Sequence, residues 1–272
     1  MTVDMKKTSI LAALLLICGA TSLDAQYVRE PVQAYFTTAD MPDLVKWLPA
    51  PPDSIIHKFS YDVSQYMWGK SMRKDPVRAD IARRDAEYSL RYIIQEFSEP
   101  FGLEISREGT PEIYRLLREG TATCDSICTL PKKHYMRKRP FIVFNEHTLT
   151  PDSEPSLSRS GSYPSGHTIL GWSAALLLMD INPERADTLL ARGYMYGESR
   201  VIVGAHWQSD VDAGYLAASV AYAKLHTSER FLEQMSKAKE EFRRLTTPAV
   251  AEPQRRAPRA ARRTTRQQGR AY

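Results

Sequence analysis

The sequence predicts an all-α protein, a single-domain helical bundle, and three observations carry that expectation. A capping or small polar residue followed by proline recurs at Asp75-Pro76, Thr110-Pro111 and Asn182-Pro183, each a helix-start device. No stretch alternates apolar and polar residues as a set of strands would, and no fixed-period repeat is present. The turn Tyr163-Pro164-Ser165-Gly166-His167-Thr168 runs directly into an apolar segment of helical length that ends near Asp180.

Taken in order, the first helix opens at Asp75-Pro76 and is expected to run to about Phe97. The second opens at Thr110-Pro111, carries Ile113, Leu116 and Leu117 on one face, and is expected to close at Gly120. The apolar helix after His167 follows. Asn182-Pro183 starts another towards Glu198. Ser209 is expected to cap the next, with Asp212 three residues on completing a capping box, through Leu216, Val220 and Tyr222. A last helix is expected from Ser228 to Leu245.

With 272 residues and 43% apolar composition, the chain can bury the core of one large domain. Its ends read differently. Lys6-Lys7 precede an apolar run from Ile10 to Ala20, and Leu23-Asp24-Ala25 offers a small-residue cleavage site, so residues 1–25 read as a secretory signal peptide. The run falls short of the ~20 residues that span a bilayer. Cys18 suits no lipid anchor, because the bulky Ile17 precedes it. The expected compartment is the periplasm or the outside of the cell.

The formal charge of +5 is concentrated at the other end: from Pro248 onward seven arginines stand against one glutamate, leaving −1 for everything before. That tail, 248–272, is rich in Pro, Ala and Arg and is expected to be disordered and solvated, with adsorption to anionic surfaces as its functional reading. Residues 26–247 form the expected catalytic body. In an exported chain Cys124 and Cys128 of "TCDSIC" read as a disulfide. A metal site there lacks ligands, His134 being the one neighbour of the right kind.

Three segments carry chemistry. The first is "KKHYMRKRPF", with Lys132 and Arg139. The second is "YPSGH", Tyr163 to His167. The third is "ESRVIVGAHWQSD", with Arg200, His206 and Asp210. Each alone has a bland reading as a solvated charge run, an ordinary turn or a first-turn acid. Together they supply what a phosphoryl group needs, since its transfer is catalysed mainly by positioning and by charge stabilisation. Lys132, Arg139 and Arg200 are three cations, two of them with the planar fork that suits phosphate oxygens. The turn at Ser165-Gly166 puts backbone N–H groups at a helix start, a natural anion site. His206 has Asp210 four residues on to fix its tautomer as a nucleophile, and His167 is placed to protonate a leaving alkoxide.

Lys132-x6-Arg139-Pro140, Pro164-Ser165-Gly166-His167 and Ser199-Arg200-x5-His206-x3-Asp210 together resemble the three-part signature of the type 2 phosphatidic acid phosphatase superfamily, shared with vanadium haloperoxidases. "GSYPSGHT" with "HWQSDVDAG" is similar to the bacterial class A non-specific acid phosphatases, and the similarity runs from about Leu48 to Phe242. The resemblance implies a helical bundle and a ping-pong mechanism that needs neither metal nor other cofactor. In it His206 forms a phosphohistidine, Asp210 orients it, and His167 is acid and then base. Lys132, Arg139, Ser165, Gly166 and Arg200 bind the phosphate. It also implies small phosphate monoesters as substrates, inhibition by vanadate, and a homo-oligomer. His57, His134, His147 and His226 match no signature position and are expected to be structural; Tyr163 is left to packing or pocket lining. A lipid phosphatase would favour membrane helices, and no apolar run of ~20 residues follows the leader. A haloperoxidase would oxidise bromide once loaded with vanadate, and a polyanion-binding module would bind without turnover.

Overall fold

The computed structural model describes residues 32–52 and 57–247; the expected leader, the junction after it and the arginine-rich tail lie outside the described residues. The described part is helical throughout, with no strand among the described residues. Twelve α-helices follow one another, joined by turns and short 3-10 segments: α1 Leu44–Trp47, α2 His57–Met72, α3 Pro76–Arg84, α4 Leu90–Phe101, α5 Pro111–Asp125, α6 Thr129–Tyr135, α7 Pro140–Phe144, α8 Glu154–Leu157, α9 Gly166–Ile181, α10 Ala186–Val203, α11 Gln208–Leu225 and α12 Glu229–Thr246.

The apolar run after His167 becomes α9, the centre of the bundle. Most of its residues are apolar, so it sits among α4, α5, α10 and α11, with Trp172, Leu176, Met179 and Asp180 half-buried along one side. Its side chains Ile169, Leu177 and Leu178 share one core with Ile93 and Phe97 of α4, Leu116 and Leu117 of α5, and Ala217 and Ala221 of α11. α12 is amphipathic instead and lays Phe231, Met235 and Ala238 on α5.

Several expected boundaries move, each for a physical reason. Asp75 caps as expected, its carboxylate accepting from the N–H of Val77 and Arg78. The helix it opens ends at Arg84 and a second begins at Leu90. The break is fixed by Asp85, whose buried carboxylate accepts from Arg192 Nη2 at 2.5 Å and Ser199 Oγ at 2.6 Å on α10. Gly120 does not close α5. It sits mid-helix where a Cβ would meet Leu177 Cδ1 at 2.8 Å, so its smallness serves the packing of α5 on α9. At the start of α5 the cap comes from far away in sequence: Glu241 of α12 accepts from the N–H of Glu112 and Ile113. α11 begins at Gln208, and the acid that bonds back to the start of the helix is Asp210, not Asp212, which takes Gln208 Nε2 instead. Ser228 caps α12 as expected.

The disulfide expected between Cys124 and Cys128 is not formed; both are buried free thiols. Cys124 lies in the last turn of α5 and Cys128 in the 3-10 turn that follows, where its Sγ faces Asp125 Oδ1 at 3.8 Å. Burial pushes the Cys128 thiol up to about 12.

α9, α10 and α11 approach closely because glycines face large side chains across the contact. A Cβ on Gly171 would meet Tyr196 Cδ1 at 2.5 Å and Cγ at 2.6 Å, and one on Gly193 would meet Ala175 Cβ at 2.7 Å. Replacing an exposed helical glycine by alanine gains up to ~1 kcal/mol. At Gly171 the forced separation of α9 from α10 costs about 1–3 kcal/mol and wins. Gly171→Ala is therefore expected to lower the urea midpoint of unfolding; a raised midpoint would show that the two helices separate without penalty.

Candidate active site

Six of the eight site residues expected from the sequence line one cavity of about 350 Å³: Lys132, Arg139, Gly166, His167, Arg200 and His206. They come from three places. Lys132 sits on α6 and Arg139 at the residue before α7; Gly166 and His167 open α9; Arg200 ends α10 and His206 follows it.

The six-residue interval between Arg200 and His206 follows from how α10 stops. Gly204 adopts φ 87°, the left-handed conformation that closes a helix and that glycine takes without strain. The chain then folds back, so that the Arg200 carbonyl accepts from the N–H of Ala205 and His206 at 3.2 and 3.3 Å. Arg200 and His206 thereby open into the same cavity.

His206 is 1% exposed. Its Nδ1 faces Asp210 Oδ2 at 3.3 Å, and that oxygen also accepts from the Trp207 N–H at 2.9 Å. With the Nδ1 hydrogen held by the carboxylate, the lone pair is on Nε2, which faces Arg139 Nη1 at 2.9 Å. Burial, then Arg139, Lys132 and Arg200, hold the imidazole well below the usual histidine range, so it stays neutral in mild acid. His167 is likewise held well below that range, by burial first and Arg200 next. Its Nε2 is 2.9 Å from the Ala86 carbonyl, an acceptor, so Nε2 carries the hydrogen and Nδ1 the lone pair. The edge of Tyr88 closes on the ring at 4.6 Å between centroids.

Arg139 is anchored by two carbonyls and a hydroxyl, donating to Leu157 O at 2.9 Å, Ala205 O at 3.0 Å and Ser160 Oγ at 3.1 Å. Lys132 Nζ donates to Gly161 O at 3.0 Å. Arg200 is different: it is buried, yet its Nε and Nη1 find no partner among the described residues. A buried guanidinium with donors to spare costs several kcal/mol unless an anion takes them. Burial pushes Arg200 and Arg139 down to about 10 and Lys132 to about 8, so all three are charged in acid.

Two expected residues stand behind the cavity wall. Asp210 lies behind His206, with Oδ2 on its Nδ1. Ser165 does not line the cavity; its N–H goes to the Asp210 carbonyl at 2.9 Å and its hydroxyl oxygen accepts from the Thr168 N–H at 3.3 Å. Ser165 thus ties the turn to the His206 helix, and it is Gly166 that meets the cavity. A Cβ there would lie 3.2 Å from Asp125 Oδ1 and 3.3 Å from the Tyr88 hydroxyl. The four remaining histidines lie outside the cavity, and Tyr163 is buried with its hydroxyl on the Pro49 carbonyl at 2.7 Å.

Sequence reasoning missed the rest of the wall: Ala86, Glu87 and Tyr88 from the break between α3 and α4, and Ser153, Ser156, Leu157 and Ser160 from α8 and its flanks. The signal for the first group was Ser89, a capping residue ahead of Leu90 within what reads as one helix. No group of three or more His, Cys, Asp or Glu placed to hold a metal exists among the described residues.

Residues 116–231 match the family model described as the PAP2 superfamily. The chain is 41% identical to a non-specific acid phosphatase of Providencia stuartii over 217 residues, 79% of this chain and 87% of that protein. It is 39% identical to a non-specific acid phosphatase of Salmonella typhimurium, covering 78% of this chain and 85% of the relative. An acid phosphatase of Zymomonas mobilis is 32% identical over 81% of this chain and 82% of its own length.

The Lys132 ammonium, charged below about 8, predicts how an oxyanion binds. Inorganic phosphate has its own ionisation near neutrality, so the change that belongs to Lys132 is the difference between the wild-type and Lys132→Gln profiles. Phosphate affinity is expected to weaken as pH rises through about 8, where the cation is lost, and Lys132→Gln should bind more weakly and abolish that dependence. Calorimetric titration with phosphate at a series of pH values checks both; a slope retained in Lys132→Gln would assign it to another group.

Proposed function

Given that the chain belongs to the PAP2 superfamily and is an acid phosphatase, we propose that it hydrolyses a broad range of phosphate monoesters in two displacements through a phosphohistidine at His206. The observation that carries this reading is the pairing of a neutral, carboxylate-oriented imidazole with three cations around one cavity.

In the first step the His206 Nε2 lone pair attacks phosphorus and the P–O bond to the leaving group breaks. Arg200, Arg139 and Lys132 take up the charge on the non-bridging oxygens, and the Gly166 N–H at the start of α9 adds a backbone donor. The leaving oxygen takes a proton from His167, through Nδ1, because Nε2–H is held by the Ala86 carbonyl. In the second step His167 takes a proton from water, the oxygen of that water attacks phosphorus, and the P–N bond breaks, returning its electron pair to His206. Asp210 stabilises the charged ring between the steps.

The same geometry accounts for work in acid. An empty cavity holds His167 neutral; a bound phosphate dianion opposes Arg200 and lets the ring take up a proton from solvent in mild acid. His206 has Arg139 against its attacking nitrogen and stays neutral. The two rings titrate as a coupled set, so a pH profile reports the pair.

A metal-free reaction is part of the proposal, since three side-chain cations converge where a metal ion would otherwise neutralise phosphate. So is inhibition by vanadate, which mimics five-coordinate phosphorus. Export to the periplasm rests on the leader pattern, assembly as a homo-oligomer on the family likeness, and adsorption to anionic surfaces on the arginine tail. No described helix is long and apolar enough to cross a membrane.

His206→Ala is expected to remove nearly all turnover. His167→Ala should spare aryl phosphates, whose leaving groups need little protonation, and depress alkyl phosphates by a further ~10²–10⁴-fold. Labelled phosphate trapped on the protein by alkaline quench should appear in wild type and His167→Ala and be absent from His206→Ala; label retained in His206→Ala would refute the mechanism. A chelator should leave turnover unchanged, and loss restored by added metal would remove the metal-free part.

A further inference from the structure

We infer that Arg137, clamped by Asp62 of α2, is a positioning residue that aims the Asp210 carboxylate at His206 and sets the basicity of that pair. The inference rests on the reading of His206 as the nucleophile. Arg137 stands two residues before Arg139 in "YMRKRP", where nothing in the sequence distinguishes it from its basic neighbours, and it does not line the cavity.

Its side chain is 8% exposed and bridges α2 to the start of α11. Nη1 donates to Asp210 Oδ1 at 2.6 Å and to Ser209 Oγ at 2.8 Å. Nη2 donates to Asp62 Oδ2 at 2.7 Å and to the Pro52 carbonyl at 3.2 Å. The guanidinium lies 5.6 Å over the Trp207 ring, and Trp207 Nε1 is fixed on the Lys138 carbonyl at 2.8 Å. Asp62 is fully buried and does two things: it holds Arg137, and it caps α11 by accepting from the Ser209 N–H at 2.8 Å and Ser209 Oγ at 2.6 Å. It also lies before residue 116, outside the segment matched by the family model.

Asp210 is thus divided between two partners. Oδ2 serves His206 and the Trp207 N–H, and Oδ1 serves Arg137. Two consequences follow. The carboxylate is held in one rotamer, which keeps the His206 ring in the plane of attack. Its charge is also shared with a guanidinium, so it stabilises an imidazolium less than an unshared carboxylate would. The groups facing His206 are Lys132 from α6, Arg139 before α7, His167 from α9, Arg200 from α10 and Asp210 from α11. Arg137 reaches it only through Asp210.

The test is the pH profile of kcat/KM for an aryl phosphate, measured on full-length wild type, Arg137→Gln, Arg137→Lys and Asp62→Asn. Removing the guanidinium leaves Asp210 wholly to His206 and makes the ring more basic. The acid limb of Arg137→Gln should move up by about one pH unit, with a fall in kcat of roughly 10- to 100-fold and little change in KM. Arg137→Lys keeps the charge without the fork, so its limb should stay in place while kcat falls. Asp62→Asn removes the competing anion, gives Arg137 more fully to Asp210, and should move the limb down. Shifts of opposite sign in Arg137→Gln and Asp62→Asn are not expected of a merely structural clamp. Folded variants, by circular dichroism and melting temperature, whose acid limbs coincide with wild type would overturn the inference. Should Arg137→Gln fail to fold, Asp62→Asn decides alone: a downward shift supports it and an unmoved limb overturns it. Failure of the underlying reading looks different, because wild type would then carry no label on His206.

Discussion

Drawing three cations together out of water is costly, and the buried Arg139 and Arg200 and the half-buried Lys132 line a single cavity with two neutral histidines. Each loses hydration worth several kcal/mol, and mutual repulsion adds to the loss. Arg139 and Lys132 are offset by carbonyl oxygens that the chain aims at them. Arg200 keeps two donors without a partner among the described residues. The cavity is therefore electrostatically incomplete without a multiply charged oxyanion. The same positive charge keeps the two histidines neutral and suits the cavity to a phosphate ester.

Much of the fold can be understood as what holds that charge in place. α9 is buried along most of its surface, which gives Gly166 and His167 a rigid base. Glycines at 171, 193 and 197 let α10 and α11 close on it, so that Arg200 and His206 arrive from one side as Lys132 and Arg139 arrive from another. The Asp85–Arg192–Ser199 network locks α10 to the break between α3 and α4, and the Ala86 carbonyl in that break fixes the tautomer of His167. Arg137, itself held by Asp62, bonds one oxygen of the Asp210 carboxylate.

Local signals made part of this legible in the sequence. Proline after a capping residue located Asp75 and Ser228 stood at the start of its helix, because a cap is decided by a few adjacent residues. The cations, His167, His206 and Asp210 were readable because residue type and spacing together restrict the chemistry. Interactions between distant segments were not readable. The break after Arg84 depends on Asp85 meeting Arg192. Gly120 looks like a helix end until Leu177 is seen against it. Ser165 looks like a phosphate ligand until its N–H is found on Asp210. Asp210 rather than Asp212 makes the capping bond because Trp207, not Ser209, is the cap. Cys124 and Cys128 invite pairing by compartment, yet sit as separate thiols at a helix end.

The central claim is that a tetrahedral oxyanion completes the charge of this cavity and that His206 Nε2 is the atom bonded to its centre. A crystal structure of the protein with orthovanadate tests this most directly. The account predicts vanadium bonded to His206 Nε2, with its oxygens on Arg200 Nε and Nη1, Lys132 Nζ and the Gly166 N–H, and with an oxygen opposite His206 beside His167. Vanadate bonded to another side chain, or seated away from Arg200 with the guanidinium still unpartnered, would contradict it.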